Sequence, residues 1–229
     1  MKKPIVISVG GSIVVPEKGI DVEYLKKLRS LILQEVEKGE RFIIVVGGGS
    51  VCRKYQNAAK EVVDLTDEDL DWLGIHTTRL NAHLLRTIFR DIAHPIVIKD
   101  PTSDLDWKES VLIAAGWKPG CSTDFDAVML AQKCGAEQII NLTNVDAVYE
   151  EDPKVNPDAK SYEHISWADF RKIVGSEWSP GANAPFDPIA SKLAQEQGMK
   201  VVIARGTDID NLQDIIDGKE FKGTLISGE

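Results

Sequence analysis

The 229 residues predict an α/β fold: an open, mainly parallel sheet sandwiched between helical layers. Three observations carry that prediction. Apolar, β-rich runs recur with little polar alternation, which marks strands buried on both faces. Amphipathic helical stripes separate most of them, the order that builds a parallel sheet covered on both sides. Two of the runs also end directly in glycine clusters, Gly10-Gly11-Ser12 and Gly47-Gly48-Gly49.

Taken in order, Ile5–Val9 is the first strand. Val22–Glu37 is a helix, because Leu25, Leu28, Leu31, Ile32 and Val36 form a stripe at helical spacing. Phe42–Val46 is the second strand, and 51–63 and the long stretch 70–92 read as helices. A strand is expected over 96–98. Thr123–Cys134 opens on Ser122-Thr123-Asp124, a capping cluster for a helix start. Strands over 138–142 and 201–204 and helices over 187–197 and 209–217 complete the set. The irregular stretch 175–188, with three prolines, two glycines and Trp178, reads either as a mobile loop over a site or as an insertion packed by its own tryptophan.

Composition narrows the function. Hydrophobic residues make up 43% and charged residues 28%, ordinary for a globular chain long enough to bury a substantial core. A net charge of −9 disfavours nucleic acid and anionic membrane surfaces, which repel such a chain, but not a small anionic substrate that feels local charge. Three cysteines without CxxC spacing argue against a disulfide framework and a zinc site. The short, glycine-broken apolar run at the start is no signal peptide, and nothing approaches membrane-spanning length, so the expected compartment is the cytoplasm.

The glycine clusters carry the chemistry. Glycine lets a backbone turn sharply and aim N–H groups at an anion. For Gly10-Gly11 alone, a strand-ending turn is the better explanation of the pair. Gly47-Gly48-Gly49 at a strand–helix junction is stronger, because open amides meet a helix N-terminus there, and Arg53 follows one turn later with a forked donor set. No GxxxxGK[ST] and no GxGxxG following a strand is present, which removes P-loop kinases and weakens a dinucleotide reading. The four histidines, His76, His83, His94 and His164, are scattered and suggest no catalytic triad.

Further motifs extend the pattern: Asp71-Trp72-Leu73-Gly74-Ile75 running on to Thr78-Arg79-Leu80-Asn81-Ala82, then Pro119-Gly120 before Ser122-Thr123-Asp124. Asn144-Val145-Asp146-Ala147-Val148-Tyr149 with Asp152-Pro153 follows, and Asp187-Pro188 with Lys192 comes late. In order and spacing these resemble the amino acid kinase superfamily, most closely its archaeal-type UMP kinases, over nearly the whole chain. The resemblance implies one amino acid kinase domain over 1–229, with the acceptor bound by about 1–135 and ATP by about 136–229.

It also implies roles. Gly10, Gly11 and Ser12 meet the transferring phosphoryl group, with Asp124 organising the catalytic donors and Lys192 supplying a cation. Gly48 and Arg53 hold the acceptor phosphate, Asp71 binds its ribose, and Ser122 and Thr123 line its pocket. Gly49, Asn144, Tyr149 and Asp152 serve ATP. For Asp71 and Asp124, helix capping is the plain structural alternative. Mg²⁺ accompanies ATP, no residue is assigned as a metal ligand, and a homo-oligomer, typically a hexamer of dimers, is implied.

Some positions depart from the family pattern. Ser8 stands where many superfamily members carry a lysine, a change the archaeal-type enzymes share. Ala147 replaces a glycine, Cys121 a histidine, and Phe125-Asp126 small apolar residues. Asp126 is expected to add a negative charge near the phosphates, supporting a metal or repelling substrate. The leading reading is ATP-dependent conversion of UMP to UDP in pyrimidine nucleotide synthesis. The alternatives are a kinase of another small phosphate such as isopentenyl phosphate, disfavoured by Asp71 and the missing histidine after the glycines; a carboxylate kinase; and a non-catalytic nucleotide-binding regulator.

Overall fold

A computed structural model describes residues 2–151, 155–156, 158–177 and 184–228. In chain order its elements are β1 (Ile5–Val9), α1 (Gly11–Val14), α2 (Val22–Glu37), β2 (Phe42–Val46), α3 (Gly49–Lys60), α4 (Asp67–Ile88), β3 (Val111–Ala114), α5 (Thr123–Cys134), β4 (Gln138–Thr143), β5 (Val148–Tyr149), β6 (Ser161–Tyr162), β7 (His164–Ile165), α6 (Trp167–Val174), α7 (Pro188–Glu196), β8 (Lys200–Arg205), α8 (Ile209–Ile216) and β9 (Thr224–Ile226). Seven strands form one sheet in the order β3-β2-β1-β4-β8-β9-β7. β3 through β8 in that order run parallel, and β9 turns antiparallel to β8 with β7 parallel to β9. The sheet is therefore open and mainly parallel, as the buried runs predict.

Strand alternation sorts the core into two layers. Ile7, Val9, Phe42, Ile44 and Val46 pack on one face with Leu28 and Ile32 of α2, Leu85 of α4 and Leu212 of α8. Val6, Ile43, Val45 and Ile139 face the other way, against Val128 of α5, Phe170 of α6 and Ala190 of α7. Because side chains two apart share a face, Ser8 points with Val6 toward the α5–α7 layer. Its register partner on β4, Asn141, does the same beside Ile139. These two buried polar residues interrupt otherwise apolar strands next to the carboxyl ends.

The chain order reverses between β1 and β4: from β1 the sheet grows outward through β2 to β3, and from β4 through β8. A crevice opens at the carboxyl ends of strands at such a switch, and ligands collect there in open α/β sheets.

Some expected elements shift. The stretch 96–98 is no strand; Ile98 makes only an isolated bridge to Ala114, and the edge strand is Val111–Ala114. Pro95 before it and an outward-facing Ile96 explain why that run cannot continue as a buried ladder. The long helix starts earlier and ends earlier than 70–92, because Thr66 and Asp69 form a capping box at its start and Phe89 closes it. α3 begins inside the glycine cluster at Gly49 rather than at 51. α6, capped by Ser166, and the antiparallel β9 were not anticipated. Residues 178–183 of the 175–188 stretch lie outside the described residues.

Candidate active site

The two glycine loops form the site's floor by packing backbone on backbone. Gly10 N donates to Leu142 O at 2.7 Å, and Gly47 N donates to Val9 O at 2.9 Å, so both loops prolong the sheet's bonding past its carboxyl edge. A Cβ on Gly47 would stand 2.7 Å from Gly11 N, and one on Gly11 would overlap Gly49 and Gly47 outright. Gly49 has φ +68, a left-handed conformation that suits glycine. Mutual contact, before any ligand, therefore demands these glycines. α4 locks the second loop: buried Asn81 donates from Nδ2 to the carbonyls of Gly47 at 2.8 Å and Gly48 at 3.1 Å.

The residues expected to hold the acceptor gather around this floor. Arg53, just over one turn into α3, donates from Nη1 to Ser12 Oγ at 3.4 Å and from Nη2 to Glu17 at 2.8 Å. That guanidinium holds the Glu17 carboxyl below its usual range. Asp71 is no helix cap: it lies inside α4, where its Oδ2 accepts from Gly120 N at 2.7 Å. Thr78 and Arg79 of the same helix fasten the neighbouring turn, through Gly116 N to Thr78 Oγ1 at 2.8 Å and Arg79 Nη2 to Trp117 O at 2.9 Å. Four residues of one helix thus hold 47–48 and 116–120 in place.

Ser122 is the N-cap of α5, its hydroxyl accepting from Phe125 N at 3.1 Å, and Thr123 is the first residue of that helix. Asp124 does not cap. Its Oδ1 accepts from Ser8 Oγ at 3.0 Å and its Oδ2 from Asp187 N at 3.2 Å. It thereby joins β1, α5 and the start of α7. Part of the residue stays accessible, yet enclosure of the carboxyl, with the Asp187 charge adding to it, pushes it up to about 7. Asp187 caps α7 through Ile189 N at 2.6 Å, and its buried Oδ2 has no partner among the described residues.

Asp126 corrects the expectation of an added charge. It is buried, its Oδ2 accepts from Trp117 N at 3.1 Å, and burial pushes it up to about 8, so it is mostly neutral at pH 7. It holds the 116–120 turn to α5 instead of confronting phosphate.

On the far side of the switch, Asn144 is exposed just past the end of β4, and Tyr149 is half-buried on β5. Asp152 lies outside the described residues. Lys192 stands on the exposed side of α7, its ammonium 3.9 Å from Glu196. No bond joins it to the glycine loops among the described residues, so any phosphate contact depends on its flexible stem. The sequence reading missed several supporting residues. Asn141 donates to Pro185 O at 2.7 Å, fixing the segment before Asp187. Arg205, at the end of β8, clasps Asp146 with both arms and holds that carboxyl below its usual range. A lone polar residue inside the apolar 138–142 run was the signal for Asn141; nothing local marked Arg205.

The amino acid kinase family model matches residues 3–205. The chain is 37% identical over 227 residues to the uridylate kinase of Pyrococcus abyssi, covering 97% of this chain and 98% of that protein. It is 35% identical to the uridylate kinase of Hyperthermus butylicus over 99% of both. Among solved structures, the uridylate kinase of Archaeoglobus fulgidus superposes with a TM-score of 0.80 at 30% identity, over 98% of this chain and 100% of that one.

Proposed function

The chain belongs to the amino acid kinase family, and from that premise we propose that it is a kinase that transfers the γ-phosphoryl group of ATP to UMP, giving UDP and ADP. Uridylate kinases related over nearly their full length support the reaction. The observation in this chain that carries it is the contact between the two glycine loops, which brings Ser12 and Arg53 to 3.4 Å of each other. A donor-side hydroxyl and an acceptor-side cation then share one floor, as a transfer between two phosphates requires.

In this reading Gly10, Gly11 and Ser12 receive the migrating phosphoryl group through backbone amides and a hydroxyl. Gly48 and Arg53 bind the UMP phosphate, Asp71 its ribose hydroxyls, and Ser122 and Thr123 border its pocket. Gly49, Asn144, Tyr149 and Asp152 serve ATP, and Lys192 reaches the phosphates from α7. The acceptor belongs to about 1–135 and ATP to about 136–229 of one domain.

The nucleophile is a phosphate oxygen that is already ionised, so no general base is needed. Catalysis reduces to alignment and to donors fixed in advance where charge develops. Arg53 must exchange Glu17 for phosphate. That exposed pair holds it loosely, and a doubly charged phosphate is the stronger partner. Asp124 does not take a proton from substrate; it fixes Ser8 and the backbone before α7.

The donor set fits a magnesium ion carried on nucleotide phosphates. Asp187 has a buried oxygen free of partners among the described residues, a carboxylate donor of the kind that a magnesium ion held chiefly by phosphates and water takes. Bound there, with Asp187 as its protein contact, the ion would neutralise charge on the β- and γ-phosphates.

No helix among the described residues is long and apolar enough to cross a membrane. A cytoplasmic homo-oligomer is the setting we propose. The test is coupled ADP release from Mg-ATP with UMP, CMP, dUMP, isopentenyl phosphate and glutamate as acceptors. Turnover chiefly with UMP is expected. Turnover with another acceptor alone would move the substrate, and ATP binding without turnover would make the protein a binder.

A further inference from the structure

We propose that a cavity at the amino ends of β1, β2 and β3 is a second anion-binding site, taking a small phosphate-bearing molecule with at least two negative charges. The cavity is about 400 Å³, and Lys2, Lys3, Arg41, Asp106, Trp107 and Lys133 are among its lining residues. That volume falls within the range of small-molecule sites. Lys2, Lys3, Arg41 and Lys133 stand there against the carboxylates of Asp106, Glu40 and Glu137, a small local excess of positive charge in a chain whose net charge is −9. Such a local reversal of sign favours a small anion at the cavity.

The location separates it from the crevice. Lys2 and Lys3 precede β1, Arg41 immediately precedes β2, Trp107 lies upstream of β3, and Lys133 is in the last turn of α5 before β4. The glycine loops follow the opposite ends of the same strands. A five-residue strand at about 3.3 Å per residue puts roughly 17 Å between the two ends. α5 touches both, with Asp124 in its first turn and Lys133 in its last.

Arg41 is held in advance. Its Nε and Nη2 donate to Glu109 O, and Nη2 also donates to Trp107 O at 3.0 Å. The guanidinium lies 3.8 Å over the Trp107 ring centroid. Stacking and two carbonyls fix its plane while leaving Nη1 outside these bonds, the state in which a guanidinium binds phosphate with little ordering cost. Lys133 Nζ donates to the carbonyls of Pro101, Thr102 and Ser103, which takes up its three N–H groups, so it adds positive charge to the cavity wall while Arg41 Nη1, Lys2 and Lys3 supply the donors. Lys2 and Lys3 pair with Glu40 and Glu137 through well-exposed ammonium stems. Exposed pairs contribute little, so both lysines can turn to a multiply charged ligand.

The test titrates the full chain calorimetrically with inorganic pyrophosphate while UMP and a non-hydrolysable ATP analogue occupy the crevice. A saturable site on each chain is expected, weakening about tenfold or more from about 0.05 M to about 0.2 M NaCl. The same loss, about tenfold, is expected in the double variant Lys2→Gln/Lys3→Gln and in Arg41→Gln. The lysine variant decides if Arg41→Gln fails to fold, since its side chains are exposed. No saturable heat, binding seen only when the crevice is empty, or binding unchanged in the lysine variant would overturn the proposal.

Discussion

The proposed acceptor side and the proposed nucleotide side of the crevice are built differently. On the proposed acceptor side, residues of one helix, buried (Asn81, Thr78) or half-buried (Asp71, Arg79), bind backbone groups directly: Asn81 holds the second glycine loop, and Thr78, Arg79 and Asp71 hold 116–120. On the nucleotide side, Asn144 is exposed and the clasp between Arg205 and Asp146 is more than two-fifths exposed at both partners. The first is fixed before substrate arrives, and the second leaves its groups to be ordered by it. Preorganisation of this kind lowers the cost of aligning a small acceptor.

If that contrast is right, the largest effect belongs to the loop floor. Gly11→Ala forces a Cβ into the backbone of Gly47 and Gly49, and should cost about 3 kcal/mol or more. That is a melting temperature lower by roughly 6 to 12 °C for a chain of this size, and a shift of a degree or less would show that the loops are not jammed together. Next comes Arg53→Ala. Loss of charge-assisted bonds to phosphate should raise the KM for UMP about 10- to 100-fold. The KM for ATP and the melting temperature should barely move, because its partner Glu17 is exposed. Equal losses on both substrates would dissolve the division into sides.

A smaller effect separates fixed carboxyls from exposed ones by pH. Asp124 and Asp126 are raised to about 7 and about 8 in the folded chain, against about 4 when unfolded. The folded state therefore binds more protons over that interval. Their stabilisation is complete below about pH 4 and is lost as pH rises through 7 and 8. Between pH 6 and pH 9 the melting temperature of Asp126→Asn should fall less than that of the unchanged protein; parallel curves would mean that Asp126 is ionised throughout. The smallest effect is expected from Arg205→Ala, below about 1 kcal/mol in stability, with the KM for ATP rising by about threefold. A loss as large as that at Arg53 would mean that the nucleotide side is as fixed as the acceptor side.

Much of the fold was legible because it follows from local chemistry. Ile5–Val9, Phe42–Val46, Val22–Glu37 and Thr123–Cys134 stand where apolar periodicity and a capping serine put them. Val111–Ala114 was missed because an apolar run of four residues is too short for periodicity to tell a strand from a helix segment, while the run at 96–98 sits behind a proline and bridges only at one point. α6 and β9 are short, and β9 depends on pairing with β8, whose edge is invisible to a local window.

At the site, the sequence by itself determined the glycine loops at the strand ends and which way the polar side chains of Ser8 and Asn141 alternate, since strand period assigns each residue a face. Only tertiary structure decided what those faces meet. Ser8 finds Asp124 across 116 positions, Asp124 finds Asp187 N across 63, and Arg205 finds Asp146 across 59. The same packing made Asp126 a buried, mostly neutral tether to Trp117 N, where the sequence suggested a free charge. A residue's type and spacing fix its chemistry and its face. Burial and partners, which set its charge, come from elements that chain order alone does not bring together.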